Sequence, residues 1–212
     1  MPSRRVLFDR VFIAKLREWI ATHHTVYPHL PPQGIYFESL VERAFLHTGW
    51  PRDQVVLTHP NSSKADISVG KTRLSLKTET GNITRRHRIS VTKLCTTETG
   101  EWTSEALIQH ALSHLSRYEG ILMLRAIWER ENVIDYQLVE IPIAVLRKME
   151  GCQALPVGRR QGRKSLGCDV LEEGAVLFHI HFDGADGKCQ LRGLRVDRCT
   201  MLAEWEQAVP NV

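Results

Sequence analysis

The stretch Lys64-Ala65-Asp66-Ile67-Ser68-Val69-Gly70-Lys71-Thr72-Arg73-Leu74-Ser75-Leu76-Lys77-Thr78-Glu79 predicts two β-strands joined by a tight turn. Its apolar residues alternate with polar ones on both sides of Gly-Lys, as in two strands that each bury one face. If the turn is centred on Gly70 and Lys71, Asp66 lies opposite Ser75 and diagonally close to Lys77. The pattern therefore predicts a hairpin that brings these three side chains together.

The second predicted strand carries three polar side chains on one face, because side chains alternate with period two. These are Ser75, Lys77 and Glu79. Together with Asp66 they place two acids and a lysine at one sheet edge, a set that can hold a divalent metal and a nucleophilic water. The alternative is an ordinary ladder of exposed charged pairs.

Asp66, followed nine positions later by Ser75 and then by Lys77, resembles the PD-(D/E)xK nuclease motif, an acid and then acid-x-lysine on a hairpin. Serine stands where that motif has its second acid. Several restriction endonucleases of the family take a glutamate from an early helix instead, and the predicted helix at residues 35–47, which carries Glu38, is similar to that helix. The resemblance implies that Asp66 and Lys77 are catalytic and that Glu38 or Glu79 completes a Mg²⁺ site.

The resemblance also implies a fold and a function. The fold is an α/β restriction endonuclease-like core, a mixed sheet flanked by helices, followed by a basic C-terminal hairpin. The function is that of a type II restriction endonuclease, a homodimer that makes Mg²⁺-dependent double-strand cuts in DNA at a specific sequence. Two alternatives stay open: a structure-selective DNA repair or recombination nuclease, and a non-catalytic DNA-binding protein with a decayed site.

Composition is that of an ordinary globular protein, with 212 residues, 42% of them hydrophobic and 25% charged. We expect one domain over residues 1–212, with 33–150 as the catalytic core and 151–212 as a basic DNA-recognition subregion. The formal charge of +4 and the pI of about 8.9 suit a polyanionic partner without requiring one.

Location is predicted from what the sequence lacks. It contains no apolar run of the length that a membrane span needs, and no unbroken apolar centre of a secretory signal. The five cysteines form no C-x-x-C pair, which is typical of reduced thiols. We therefore expect a cytoplasmic protein without a membrane partner.

Periodicity and turn residues predict the remaining elements. Helices are predicted at residues 5–23, 105–118, 143–149 and 199–207, and strands at 54–58, 121–128, 136–141, 175–182 and 189–196. A further strand is predicted to follow the basic cluster within residues 85–94. Residues 156–167, with their glycines and positive charges, are predicted to be a loop. The order of the strands up to residue 141 predicts one mixed sheet.

Basic residues cluster in three places, and double-stranded DNA is the partner that we expect them to contact. Arg85, Arg86, Arg88 and Lys93 are candidates for phosphate contacts; Arg159, Arg160, Arg163, Lys164, Arg192 and Arg195 are candidates for groove contacts. The alternative for these runs is a solvated loop. His179 and His181 form an H-x-H that matches no closed zinc motif and is better explained by packing or base contact.

Overall fold

The computed structural model of the chain describes residues 7–58, 65–97, 101–158 and 164–209. Its helices are α1 (Arg10–Val26), α2 (Ile35–His47), α3 (Ser104–Leu115) and α4 (Ile143–Leu146). Its strands are β1 (Val55–Leu57), β2 (Ile67–Val69), β3 (Thr72–Glu79), β4 (Arg88–Thr96), β5 (Gly120–Arg130), β6 (Val133–Pro142), β7 (Leu155–Val157), β8 (Ser165–Glu172), β9 (Ala175–Asp183), β10 (Lys188–Arg195) and β11 (Thr200–Ala208). The predicted mixed α/β fold class is confirmed.

The chain divides into two compact units that interleave along the sequence. The first unit comprises Met1–Asn82, Gly120–Glu140 and Met201–Val212, and the second comprises Ile83–Glu119 and Ile141–Thr200. Each unit contains one sheet, so two sheets replace the single sheet expected from the strand order. The reason is that β4 pairs with β10, far along the chain, instead of with the strands nearest to it. The single-domain organisation stays a prediction.

The first unit holds a six-stranded sheet in the order β1-β2-β3-β5-β6-β11. It is mixed, because β2 and β3 pair antiparallel whereas β3 and β5 pair parallel. Helices α1 and α2 contribute Phe12, Leu16, Phe37 and Phe45 to its core, all at most 1% exposed. These residues form the faces of α1 and α2 that are buried against the first sheet.

The hairpin formed by β2 and β3 has the register that its sequence predicts. Val69 pairs with Thr72 and Ile67 with Leu74, so the turn is centred on Gly70 and Lys71. Gly70 has φ of +58°, in the left-handed region that favours glycine. A Cβ at this position would lie 3.1 Å from the ring of Trp50, so both the backbone and its neighbour favour glycine here.

Two sequence predictions in the last third of the chain are wrong. Residues 199–207, predicted to be a helix, form strand β11 at the edge of the first sheet. There Trp205 stacks on Tyr136 of β6 with ring centroids 5.1 Å apart, so pairing with β6 overrides the helical spacing of Leu202 and Trp205. Residues 156–167, predicted to be a loop, include the end of β7 and the start of β8.

The second unit holds a five-stranded antiparallel sheet in the order β4-β10-β9-β8-β7. Its core side chains include Phe178, Ile180 and Leu191, all fully buried. The predicted basic C-terminal hairpin is confirmed as β9 and β10. In the part of the chain that the structure describes, no helix is long and apolar enough to cross a membrane.

A buried histidine ties α1 to β6 within the first unit. His24 is 3% exposed, and its Nδ1 lies 2.9 Å from the carbonyl oxygen of Pro28 and 3.2 Å from that of Tyr27. Because carbonyl oxygens only accept, Nδ1 carries the proton, and Nε2 accepts from the Tyr136 hydroxyl at 2.8 Å. Burial lowers the pKa of His24, the hydrogen bonds to Pro28 and Tyr27 partly oppose this, and the charges of His23 and His29 add to the lowering.

We predict that His24 makes the stability of the first unit fall with acid. Its folded pKa lies below the unfolded value of about 6.5, so its contribution is complete above that pH and is lost as pH falls toward the folded pKa. Melting temperatures between about pH 8 and about pH 5 should fall less steeply for His24→Gln than for wild type. The control is His47→Gln, an exposed histidine of α2 in the same unit, which should follow wild type. Parallel profiles for wild type and His24→Gln would contradict this role.

Candidate active site

Asp66 is the centre of the site. Its Oδ2 accepts hydrogen bonds from Ser75 Oγ at 2.9 Å, from the Leu76 backbone N–H at 2.6 Å and from Lys77 Nζ at 3.3 Å. The three donors come from consecutive residues of β3, because the hairpin register places Asp66 opposite Ser75. The structure therefore brings together the acid, the serine and the lysine singled out in the sequence.

Ser75, at the position where the motif has its second acid, contributes a hydrogen bond to the site. Its side chain is buried, with 2% exposure, and its hydroxyl donates to Asp66. An acid at this position would place a second negative charge beside Asp66, whereas the hydroxyl stabilises the Asp66 carboxylate. The sequence contained a signal for this role, since a serine lies directly across the hairpin from an acid.

Lys77 is held from two sides. Its Nζ contacts Asp66 Oδ2 and also donates to the Leu76 carbonyl oxygen at 3.1 Å. Its side chain is 22% exposed and that of Asp66 is 31% exposed, so both remain accessible to a ligand. Among the described residues, these bonds use two of the three N–H donors of the ammonium group, which leaves one for a water or a phosphate oxygen.

Glu38, in the first turn of α2, completes the cluster. Burial raises the pKa of Glu38, the negative charge of Asp66 raises it further, and the positive charge of Lys77 partly opposes both. The neighbouring residue Phe37 anchors the helix in the core with 1% exposure. Glu38, Asp66 and Lys77 therefore act on one another electrostatically, and the two carboxylates repel each other unless a cation lies between them.

Glu79 is engaged elsewhere. Its Oε2 accepts from Arg125 Nε at 2.7 Å, and the Arg125 side chain is fully buried in β5. Arg125 also donates to Gln137, whose amide in turn donates to Glu204 Oε1 at 2.6 Å. Parallel pairing places Glu79 beside Arg125. No pattern in the sequence indicates this network, since Arg125 lies inside an apolar run that predicts only a buried strand.

The donor set of the cluster fits a hard divalent cation. Mg²⁺ takes oxygen ligands and commonly uses one or two carboxylates, with water and substrate phosphate oxygens completing its shell. Glu38 and Asp66 supply two such carboxylates. Within the described ranges, no group of three or more His, Cys, Asp or Glu side chains could hold a metal ion. The chemistry thus suits a cation shared with a substrate better than a closed structural site.

The candidate DNA-contact residues that the structure describes lie in the second unit. They are Arg85, Arg86, Arg88, Lys93, Lys164, Arg192 and Arg195. Arg88 donates to the Gly193 carbonyl oxygen at 3.0 Å, and Arg195 forms an ion pair with Asp197 at 2.5 Å. Arg159, Arg160 and Arg163 lie outside the described residues. Phosphate and groove contacts therefore stay predictions for this set.

Comparison with known proteins gives three results. The family model for SmaI, described as a type II site-specific deoxyribonuclease, matches residues 11–207. The type II restriction enzyme SmaI of Serratia marcescens is 32% identical over 148 residues, which cover 68% of this chain and 60% of that protein. The chain thus spans less than two thirds of this relative. A restriction endonuclease in complex with substrate DNA aligns over 69% of this chain and 68% of its own, with 17% identity and a TM-score of 0.38, a likeness too distant to support an inference.

We predict opposite stability effects for the two candidate second acids. Glu38→Gln should raise the melting temperature measured in a metal chelator, because it removes a half-buried charge that faces Asp66. Glu79→Gln should lower it, because the buried Arg125 would lose its charged partner. The control is Glu42→Gln on the same helix, which removes a surface pair with Arg52 and should bring no gain. A loss of stability in Glu38→Gln would contradict the electrostatic reading of the cluster.

Proposed function

Since the chain belongs to the SmaI family of type II site-specific deoxyribonucleases, we propose that it cuts both strands of double-stranded DNA at a specific sequence. The reaction is metal-dependent hydrolysis of the phosphodiester bond. The observation that carries the proposal is the convergence of Asp66 and Lys77 on one hairpin, with Glu38 of α2 near enough to interact electrostatically with both. A DNA-binding protein with a decayed site is disfavoured, because Ser75 holds the Asp66 carboxylate in place.

We propose Mg²⁺ as the cation, with Asp66 and Glu38 as its protein ligands. Glu79 is the weaker choice, since its carboxylate already neutralises the buried Arg125. When bound, such a cation polarises a phosphate and lowers the pKa of water. A bound cation would also neutralise both carboxylates and so relieve the repulsion between Glu38 and Asp66. This relief favours binding of the cation further.

Lys77 is the residue that this proposal places closest to the reacting atoms. Hydrolysis forms a bond from a water oxygen to phosphorus and breaks the bond from phosphorus to a sugar oxygen. The attacking water loses one proton to solvent, and the leaving sugar oxygen gains one from solvent. The third N–H of Lys77 is suited to hold that water or to stabilise the negative charge that develops on the phosphate oxygens. Asp66 and the Leu76 carbonyl keep the ammonium group in place for either task.

The basic residues of the second unit are proposed to bind the DNA. Lysine and arginine neutralise phosphates, a contribution that weakens as salt concentration rises. Arg85, Arg86, Arg88 and Lys93 are assigned to phosphates, and Arg159, Arg160, Arg163, Lys164, Arg192 and Arg195 to the grooves. These assignments are supported by their charge and by their place in the family match, which covers them all.

We propose that the active form is a homodimer. One Asp66–Lys77 cluster acts on one phosphodiester bond at a time, so a cut through both strands is made most directly by two copies. Sedimentation of the protein with a short cleavable duplex and Ca²⁺ in place of Mg²⁺ should give two chains per duplex. A single chain per duplex that still cuts both strands in one binding event would contradict the dimer.

We predict that plasmid DNA incubated with the wild-type protein and Mg²⁺ is cut into discrete fragments that share one terminal sequence. Asp66→Ala, Lys77→Ala and Glu38→Gln should each lower the cleavage rate by about 100-fold or more. Ser75→Ala should lower it by roughly tenfold, the equivalent of one hydrogen bond to a charged group. Glu42→Gln serves as the control and should cut like wild type.

Two other outcomes of this cleavage assay would contradict parts of the proposal. A smear, or cutting confined to branched DNA, would indicate a structure-selective nuclease instead. Undiminished cleavage by both Asp66→Ala and Lys77→Ala would overturn the assignment of the site.

A further inference from the structure

One face of the second sheet is polar across three neighbouring strands, β8, β9 and β10. Antiparallel register aligns its residues in two rows, Asp169–His179–Arg192 and Gly167–His181–Gln190. The alternate residues of β9 and β10, among them Phe178, Ile180 and Leu191, are buried in the core. The polar rows therefore lie on the face that points away from that core.

Arg192 is held in a fixed orientation on this face. Its Nε and one terminal nitrogen donate to Gln190 Oε1 at 3.2 Å and 2.5 Å. The partner is a neutral amide, and among the described residues Arg192 forms no ion pair, unlike Arg195, which pairs with Asp197. Within the part of the chain that the structure describes, the pairing uses one edge of the planar guanidinium and leaves the other N–H donors to a ligand. An arginine held in advance loses less entropy on binding.

His179, the cross-strand partner of Arg192, is also fixed. Its Nδ1 donates to Asp169 Oδ1 at 3.0 Å, which leaves Nε2 of the neutral ring as an acceptor. The ring lies over Gly167, where an added Cβ would be 2.9 Å from Nε2 and 3.2 Å from the Ile180 carbonyl oxygen. Glycine at this position therefore makes room for the imidazole. A donor and an acceptor of fixed direction stand side by side on neighbouring strands.

A cavity of about 330 Å³ lies on this face and is lined by both residues, together with Ser165, His181 and Asp183. Most of its lining is polar, whereas pockets for small organic ligands are mainly apolar. Base edges in the major groove of DNA present polar atoms in a fixed pattern: guanine offers the acceptors O6 and N7, and cytosine and adenine offer amino donors. The lining therefore carries hydrogen-bond donors and acceptors of the kind that can pair with a base edge.

From these contacts we infer that Arg192 and His179 read the DNA sequence. Arg192 donates to the two acceptors of a guanine, and His179 Nε2 accepts from the amino group of a cytosine or an adenine. Gln190 and Asp169 are positioning residues, because they act through Arg192 and His179. The inference rests on the proposed site-specific cleavage and identifies the surface that makes it specific.

The test is a cleavage assay on a library of duplexes with randomised sites, in which Mg²⁺ starts the reaction and the ends are sequenced. Arg192→Gln and His179→Phe should each lose about 5- to 150-fold of the preference at one base pair, the equivalent of one lost base contact. Asp169→Ala should relax the same position as His179→Phe, a pattern that a general loss of stability would not produce. The control is Arg147→Ala, an exposed arginine of the same unit paired with Glu150, which should keep the wild-type preference.

The outcomes separate this inference from the proposed function. A wild-type protein that cuts no DNA would contradict the proposed function. A wild-type protein that cuts a defined sequence, together with Arg192→Gln and His179→Phe variants of unchanged preference, would overturn this inference alone. If a folded variant does not cut, its affinity for the wild-type site and for a scrambled duplex is compared without Mg²⁺. Loss of the wild-type ratio supports the inference, and an unchanged ratio contradicts it.

Discussion

The site depends on a single carboxylate oxygen, Oδ2 of Asp66, which accepts three hydrogen bonds from three consecutive residues of β3. These bonds fix the carboxylate relative to the Lys77 ammonium group and join the start of β2 to the middle of β3. Since all three use Oδ2, Oδ1 is the oxygen that the described residues leave to a cation. The hairpin register produces this arrangement, so a shift of one residue would turn Ser75 and Lys77 to the other face.

The two remaining acids of the region differ in how their charge is balanced. Glu79 lies beside the buried Arg125, and each compensates the charge of the other. Glu38 is half-buried, and its burial and, next in size, the negative charge of Asp66 raise the pKa of its carboxyl group. A protein keeps such an unfavourable pair of acids where a ligand balances it. This contrast is the physical reason for assigning the cation to Glu38 and Asp66.

The sequence was sufficient wherever the interactions are local. Alternation of apolar residues around Gly70 predicts the register of the hairpin, and the register alone brings Asp66 to Ser75 and Lys77. It was insufficient where distant segments pair. Arg125 meets Glu79 across 46 positions, β4 pairs with β10 in a second sheet, and β11 is a strand because of its contacts with β6. No short-range period encodes these pairings, so local propensity yields to them.

We propose that Asp66 and Glu38 together hold the catalytic cation. Anomalous diffraction from crystals of the protein grown with DNA and Mn²⁺ tests it most directly, since Mn²⁺ takes the same oxygen ligands as Mg²⁺ and can be located by its own scattering. The structure predicts a Mn²⁺ peak bound by Asp66 and Glu38, with Glu79 still paired to Arg125. A peak bound by Glu79, or a metal site that excludes Asp66, would contradict the account.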